Sequence, residues 1–416
     1  MTVDAGDHRM RARRGGVARA RLAVVAAATS GAVAGSCALP AGAEVVASAP
    51  TTTAPAATSA AVAPASESGT EVTIVLSGDM LIHTPLIDQA RRDSTTAGSL
   101  DFRPMLRAQE RRVAPADLGV CHLETPIAPP GGPYSGYPTF AAPAHIVTAI
   151  KAVGYDACTT ASNHSLDQGF SGITRTLEVL DAQWVRHTGT ARSSWEDTRP
   201  LLITRQGVTI GIVSATYGTN GIPVPSTRPY AVNTPLSATT ILRDARRARE
   251  AGADIVIVAI HAGTEYQHSP NAQQKSLVTT LTASRDVSLV YGHHAHVVQP
   301  ITKVNYKWVA YGLGNSFATS TTQYNASTGE QIMARFRFYR RWDGNWVVKQ
   351  ASYIPGYSPN VRPYRWVDLV TASKDTSLSS TTRDAYSRRV SHVRSVVNLL
   401  GGHSKGLTMA GPLPTS

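Results

Sequence analysis

Five short apolar runs, each ending in polar side chains able to bind a ligand, constrain this chain more than any other feature. Thr73-Ile74-Val75-Leu76-Ser77 runs into Gly78-Asp79, with His83 a little beyond. Residues 117–121 run into His122-Leu123-Glu124-Thr125-Pro126, and residues 155–160 into Ala161-Ser162-Asn163-His164-Ser165-Leu166-Asp167. Residues 254–260 run into His261-Ala262-Gly263-Thr264-Glu265-Tyr266, and residues 287–290 into Tyr291-Gly292-His293-His294-Ala295-His296-Val297. Apolar runs of this length read as buried strands. Helical patterns over 145–153, 173–182, 237–251 and 272–284 lie between several of them. Strands alternating with helices predict an α/β layered fold, and ligands in such folds gather at the carboxyl ends of the strands.

Taken singly, each polar residue has an ordinary explanation. Asp79 serves as a turn residue, Asn163 as an Asx turn, and His261 as a hydrogen-bonded strand end. The run from Tyr291 to Val297 is harder to dismiss, because histidine buries poorly and rarely clusters in a core. If that segment stays extended, His294 and His296 share a face and both imidazoles can reach one ion. A surface histidine patch or a metal-storage tract is the plain alternative for the run alone. For the whole set of strand ends, coincidence is the weaker reading.

The order of these motifs resembles the CapA family of poly-γ-glutamate capsule biosynthesis proteins, relatives of the calcineurin-like metallophosphatases. The matching residues are Gly78-Asp79, Leu123-Glu124-Thr125-Pro126, Ser162-Asn163-His164-Ser165-Leu166-Asp167-Gln168-Gly169 and His187-Thr188-Gly189. His261-Ala262-Gly263-Thr264-Glu265-Tyr266, Gly292-His293-His294-Ala295-His296 and the closing Tyr311-Gly312-Leu313-Gly314-Asn315 complete the series. The resemblance spans residues 71–317 and implies a four-layered α/β/β/α sandwich with a metal site at one edge. It places Asp79, Glu124, Asn163, His261, His294 and His296 as metal ligands and His164 as the catalytic acid. It also implies one or two divalent transition-metal ions, with Mn, Fe or Zn suited to oxygen and imidazole donors.

Two departures stand out against the superfamily pattern. Leu81 occupies the histidine position of Asp-x-His, leaving His83, four residues after Asp79, either to swing back or to stay away. Glu124 stands where the bridging acid is usually Asp. An asymmetric centre is therefore expected, with one well-held ion on Glu124, Asn163, His261 and His294. The weaker position would keep only Asp79, Glu124 and His296. His122 is read either as a compensating ligand or as a strand-end hydrogen-bonding residue. Asp167 is near enough in sequence to orient His164 as general acid. His187 and Glu265 are candidates for substrate contact or for support of the ligands, with a surface carboxylate as the alternative for Glu265. Cys121 and Cys158 are either small buried hydrophobes or a disulfide pair.

The rest of the chain speaks to organisation and location. An arginine-rich start followed by an interrupted apolar run reads as a signal peptide over 1–43, too broken for a spanning helix. Ala34-Gly35-Ser36-Cys37 resembles a lipobox that would put a lipid on Cys37, whereas Ala41-Gly42-Ala43 fits ordinary secretion. Residues 44–70, rich in Ala, Thr, Ser and Pro, form a flexible spacer. The domain is expected over 71–400, with a hairpin turning at Asp343-Gly344, a terminal helix after residue 381, and a flexible tail over 401–416. A hydrophobic content of 42% and a charged content of 16% exclude a disordered chain. The net charge of +12 owes part of its size to the leader. No nucleic-acid-binding motif is present, and a basic body favours an anionic envelope polymer.

Two functions remain open on sequence. One is a metal-dependent hydrolase of the cell envelope acting on a phosphoester or a γ-linked glutamyl polymer. The other is a non-catalytic module that binds or guides such a polymer, alongside membrane-bound synthase or export components.

Overall fold

The computed structural model describes residues 69–319 and 326–414. The expected leader, Cys37 and nearly all of the spacer lie outside the described residues.

Strands and helices alternate along the described chain. It opens with β1 (Glu71–Met80), α1 (Thr84–Asp93), α2 (Arg103–Val113), β2 (Leu118–Leu123), α3 (His145–Val153) and β3 (Ala157–Thr159). There follow α4 (Gly169–Ala182), β4 (Arg186–Thr188), α5 (Ser194–Thr198), β5 (Leu201–Arg205), β6 (Val208–Thr216), α6 (Ala238–Glu250) and β7 (Ile255–His261). Next come α7 (Ala272–Ala283), β8 (Leu289–His293), β9 (Ile301–Val304), β10 (Lys307–Ala310) and the long hairpin β11 (Glu330–Arg340) and β12 (Trp346–Tyr357). The chain closes with β13 (Val367–Asp368), α8 (Leu369–Ala372), α9 (Ser380–Val397) and β14 (Leu407–Met409). Helix ends follow local chemistry: Ser237 caps α6, and Asn271 with Gln274 forms a full capping box on α7.

Two sheets result. The first runs β13-β12-β11-β1-β2-β3-β4, with β14 added beside β12, and the second runs β5-β6-β7-β8-β10-β9. In the first, β1 to β4 are parallel, and β11 joins β1 antiparallel as the expected hairpin extension of the sheet.

The period-two alternation of the strands decides the layers. Ile74 and Leu76 of β1 meet Ile257 and Ala259 of β7 in one core, which lies between the sheets. Val75 faces the other way, into a core shared with α1 to α4. Val256 and Val258 likewise turn outward, onto α6 and α7. Each sheet thus carries helices on one face and the other sheet on its second face. That is the expected α/β/β/α sandwich.

Two further expectations resolve. Cys121 and Cys158 sit in register on β2 and β3, with Cα atoms 4.4 Å apart, and are disulfide-bonded. The supposed flexible tail is instead built in: β14 pairs parallel with β12, and Leu407 is buried. An unpaired sheet edge exposes backbone donors and acceptors, and the terminal residues cover part of one. Among the described residues no helix is long and apolar enough to cross a membrane.

Candidate metal centre

The carboxyl ends of β1, β2, β3, β7 and β8 bring the polar clusters into one buried place. Asp79, Glu124, Asn163, His164, His261, His294 and His296 are all buried there. Donor atoms of Asp79, Glu124 and His296 lie within 4.8 Å of one another, as do those of Glu265, His294 and His296. A third such group is Asp79, His122 and His293. Glu265 joins the second of these groups, and its residue is exposed.

The histidine run converges by a different route from the expected one. The strand ends at His293, and the chain then leaves the extended region, with φ of +81° at His294 and +55° at His296. Left-handed backbone is strained for residues other than glycine, and such strain gathers at functional sites. His293, which an extended chain would turn to the opposite face from His294 and His296, is buried within the centre. Its Nδ1 lies 2.6 Å from Asp79 Oδ1, and its ring stacks on His122 with centroids 3.9 Å apart.

Hydrogen bonds aim the ligand candidates. The His294 amide donates to Asp79 Oδ2 at 2.9 Å. His296 Nδ1 lies 2.9 Å from Asn315 Oδ1, so the closing motif supports the centre from behind. His261 Nε2 is 2.7 Å from Asn163 Oδ1 and 3.7 Å from Glu124 Oε1. Its Nδ1 meets His122 Nε2 at 3.0 Å, and His122 Nδ1 meets Thr159 Oγ1 at 2.8 Å. Both nitrogens of His122 are thus engaged, which fits the hydrogen-bonding reading of that residue.

Two expectations need correction, for His83 and His187. Leu81 packs with Phe140 and Ala318 in a small apolar cluster. His83 does not swing back onto Asp79; it precedes α1, packs edge-on against Phe140 at 5.3 Å, and joins none of the converging donor groups. Proline at the start of α1 commits the chain to the helix directly after it. His187 belongs elsewhere, on the strand β4, where its Nε2 lies 3.0 Å from Asp181.

Charge and burial test whether these residues suit a cation. Burial would raise the Asp79 carboxyl, but hydrogen bonds from His293 and His296 outweigh it and hold the group well below the usual range. Glu124 goes the other way, pushed well above the usual range by burial and by the charge of Asp79, with His296 opposing. Burial lowers His261 well below its ordinary value and His294 to about 3, so both are neutral imidazoles. Burial opposes the charge on His296, yet Glu124 and Asp79 raise it to about 10. An imidazolium there answers the same excess of negative charge that a divalent cation would. Both oxygens of Glu124, Nδ1 of His294 and Nε2 of His293 are buried without a hydrogen bond. Buried polar atoms left in this state are costly unless a partner completes them. The residues fit a cation.

The chain belongs to the bacterial capsule synthesis protein PGA_cap family. The family model matches residues 73–320, more than half of the chain, and takes in every residue of the centre. Among relatives, the chain is 27% identical to the PGA biosynthesis protein CapA of Bacillus subtilis over 172 residues, 41% of this chain and 44% of that protein. It is 26% identical to the capsule biosynthesis protein CapA of Bacillus anthracis over 175 residues, 41% of each. The match thus spans less than half the length of these relatives. Among solved structures it is similar to the calcineurin-like phosphoesterase YfkN of Bacillus subtilis, at 14% identity and a TM-score of 0.41, covering 78% of this chain and 99% of that one.

The PGA_cap site has a second half. His164 Nδ1 lies 2.7 Å from Asp167 Oδ2, and Asp167 also accepts the Phe140 amide at 2.8 Å. The carboxylate thereby fixes the imidazole through Nδ1. Two neighbours were not foreseen. Asn220, with φ of +51°, accepts from Asn163 Nδ2 at 3.1 Å, and Tyr217 lies over His294 with centroids 4.6 Å apart. Both follow β6, and Thr216-Tyr217-Gly218-Thr219-Asn220 is a polar strand end of the same kind as the other five.

Proposed function

We propose that this chain is an exported cell-envelope protein of the capsule-biosynthesis type whose centre is a metal-dependent, phosphatase-like hydrolase. Asp79, Glu124, Asn163, His261, His294 and His296 would hold one or two divalent ions, with Mn, Fe or Zn suited to a donor set without thiolate. A bound ion would supply Lewis acidity and a water of lowered pKa. The chain's own residues do the rest. His164 protonates the leaving oxygen, Asp167 keeps its imidazole in the productive tautomer, and Glu265, Tyr217 and Asn220 border the space where substrate would lie.

The observation that carries this reading is the His164–Asp167 pair at 2.7 Å beside the converging ligands. A binding module has no use for an oriented general acid. Metal analysis of the purified protein, followed by turnover of a chromogenic phosphodiester with and without chelator, tests it. Chelator-sensitive turnover is expected. Bound metal without turnover on phosphoester or γ-glutamyl substrates would leave the second reading, a module that binds or guides an anionic envelope polymer. The apolar burial of Leu81 in place of a histidine favours that second reading.

The proposed location is the outer face of the membrane, anchored through Cys37, or the wall and medium after cleavage near Ala43. Membrane fractionation of wild type and Cys37→Ala separates the two. Wild type free in the medium would remove the anchor, and protein retained in the cytoplasm would remove export.

A further inference from the structure

A cleft of about 670 Å³ opens along β4 and β5, and none of the metal-centre carboxylates or histidines lines it. Its volume is that of a small-molecule site. Its border is unusual for a protein surface, because Trp184 is 83% exposed and Trp195 65% exposed. Trp184 follows the end of α4 with φ of +57°, a left-handed position where glycine or asparagine normally stands. A bulky side chain held there is a strained and solvent-exposed choice with no packing reason. Arg199 lies over the Trp195 ring, 4.3 Å from its centroid, which restrains the ring's orientation.

The same cleft is lined by a network of polar groups. Arg192 donates to Glu196 and, at 2.7 Å, to Asp181, whose other oxygen lies 3.0 Å from His187 Nε2. Burial lowers the His187 imidazole, with Asp181 opposing. Carboxylates and guanidiniums are equal among the lining residues, four of each. An anionic polymer would meet as much repulsion as attraction here. A neutral ligand with an apolar face and a rim of hydroxyls meets matching chemistry throughout, since aromatic faces cover C–H groups and paired charges exchange hydrogen bonds.

We propose that this cleft binds a neutral saccharide, stacking its rings on Trp184 and Trp195 and hydrogen-bonding its hydroxyls to Asp181, Arg192 and Glu196. The assignment does not depend on the metal centre or on its chemistry.

Calorimetric titration with chitotetraose, cellotetraose and maltotetraose tests it, with poly-γ-glutamate as the charged comparison. At least one tetrasaccharide should bind the full-length protein with a Kd of about 1 mM or tighter. Trp184→Gly and Trp195→Ala should each weaken it by about tenfold or more. The glycine variant suits the left-handed backbone, so its Tm should hold or rise while binding falls, which a merely structural tryptophan would not show. Raising salt from about 0.05 M to about 0.5 M should leave the affinity unchanged, as a neutral ligand requires. Three results would overturn the proposal: no tetrasaccharide bound up to about 10 mM, binding that survives both substitutions, or tryptophan-dependent binding of poly-γ-glutamate alone.

Discussion

At the scale of single residues, the proposed function separates side chains that would hold an ion from side chains that would move a proton. His294 belongs to the first kind: it is neutral, buried, and has a ring nitrogen without a partner. His294→Ala should strip most of the bound metal, read by elemental analysis, and lower the Tm. A ligand at about 100 times its dissociation constant contributes about 2.7 kcal/mol of stability, which the variant would forfeit. Unchanged metal content would remove His294 from the ligand set. His164 belongs to the second kind, because its bond to Asp167 uses Nδ1 and commits it to no ligand role. His164→Ala should keep its metal and lose about 10²–10⁴-fold in turnover. The loss should shrink for esters whose leaving groups need no proton, and an equal loss on all substrates would count against the acid role.

Among elements, the end of β1 shows how backbone packing sets the position of a ligand. The Asp79 amide donates to the Gly314 carbonyl at 2.9 Å, and the Phe317 amide donates back to the Asp79 carbonyl at 3.1 Å. The segment after β10 therefore closes along β1 and brings Asn315 behind His296. Gly78 permits this approach, since a Cβ there would stand 1.9 Å from the Gly314 carbonyl oxygen. Gly78→Ala must push the two segments apart. Overpacking of this kind costs about 1–3 kcal/mol or more, and Asp79 moves with the strand. The expected outcome is a lower Tm together with weaker metal retention; a variant with wild-type metal content would show that the centre tolerates the shift.

For the whole molecule, the last residues matter more than their composition announces. Leu407 enters the core between the sheets, and the buried Arg112, paired with Asp368 at 2.6 Å, also donates to the Gly411 carbonyl. Arg111 reaches the Pro414 carbonyl at 2.7 Å. Deleting residues 407–416 would uncover the inter-sheet core and bare part of the β12 edge. Losing the burial of one leucine costs about 1.5–3 kcal/mol, so the Tm should fall by several degrees. A deletion with unchanged Tm would mean that β14 adds nothing to the fold.

Much of this was legible in the chain because both signals are local. Continuous apolar runs placed β1, β2, β7 and β8, and helical patterning bounded α6 and α7 within a residue or so. Strand direction then carried Asp79, Glu124, Asn163 and His261 to one edge without further information. β5, β6, β9 and β10 went unread, and with β6 went Tyr217 and Asn220, although the polar strand end that marks them stood in the sequence. What no local pattern contains is contact between distant segments. The aspartate at 79 meets the histidine at 293 only because two sheets stack face to face. Neither His83 nor His187 joins the converging donors: one stands beside a helix start and the other on the far strand β4. The tail is polar enough to read as solvent-loving, and only the open edge of β12 turned it into a strand. Periodicity along the chain determined which residues share a strand end or a face; packing between layers decided which of those ends meet.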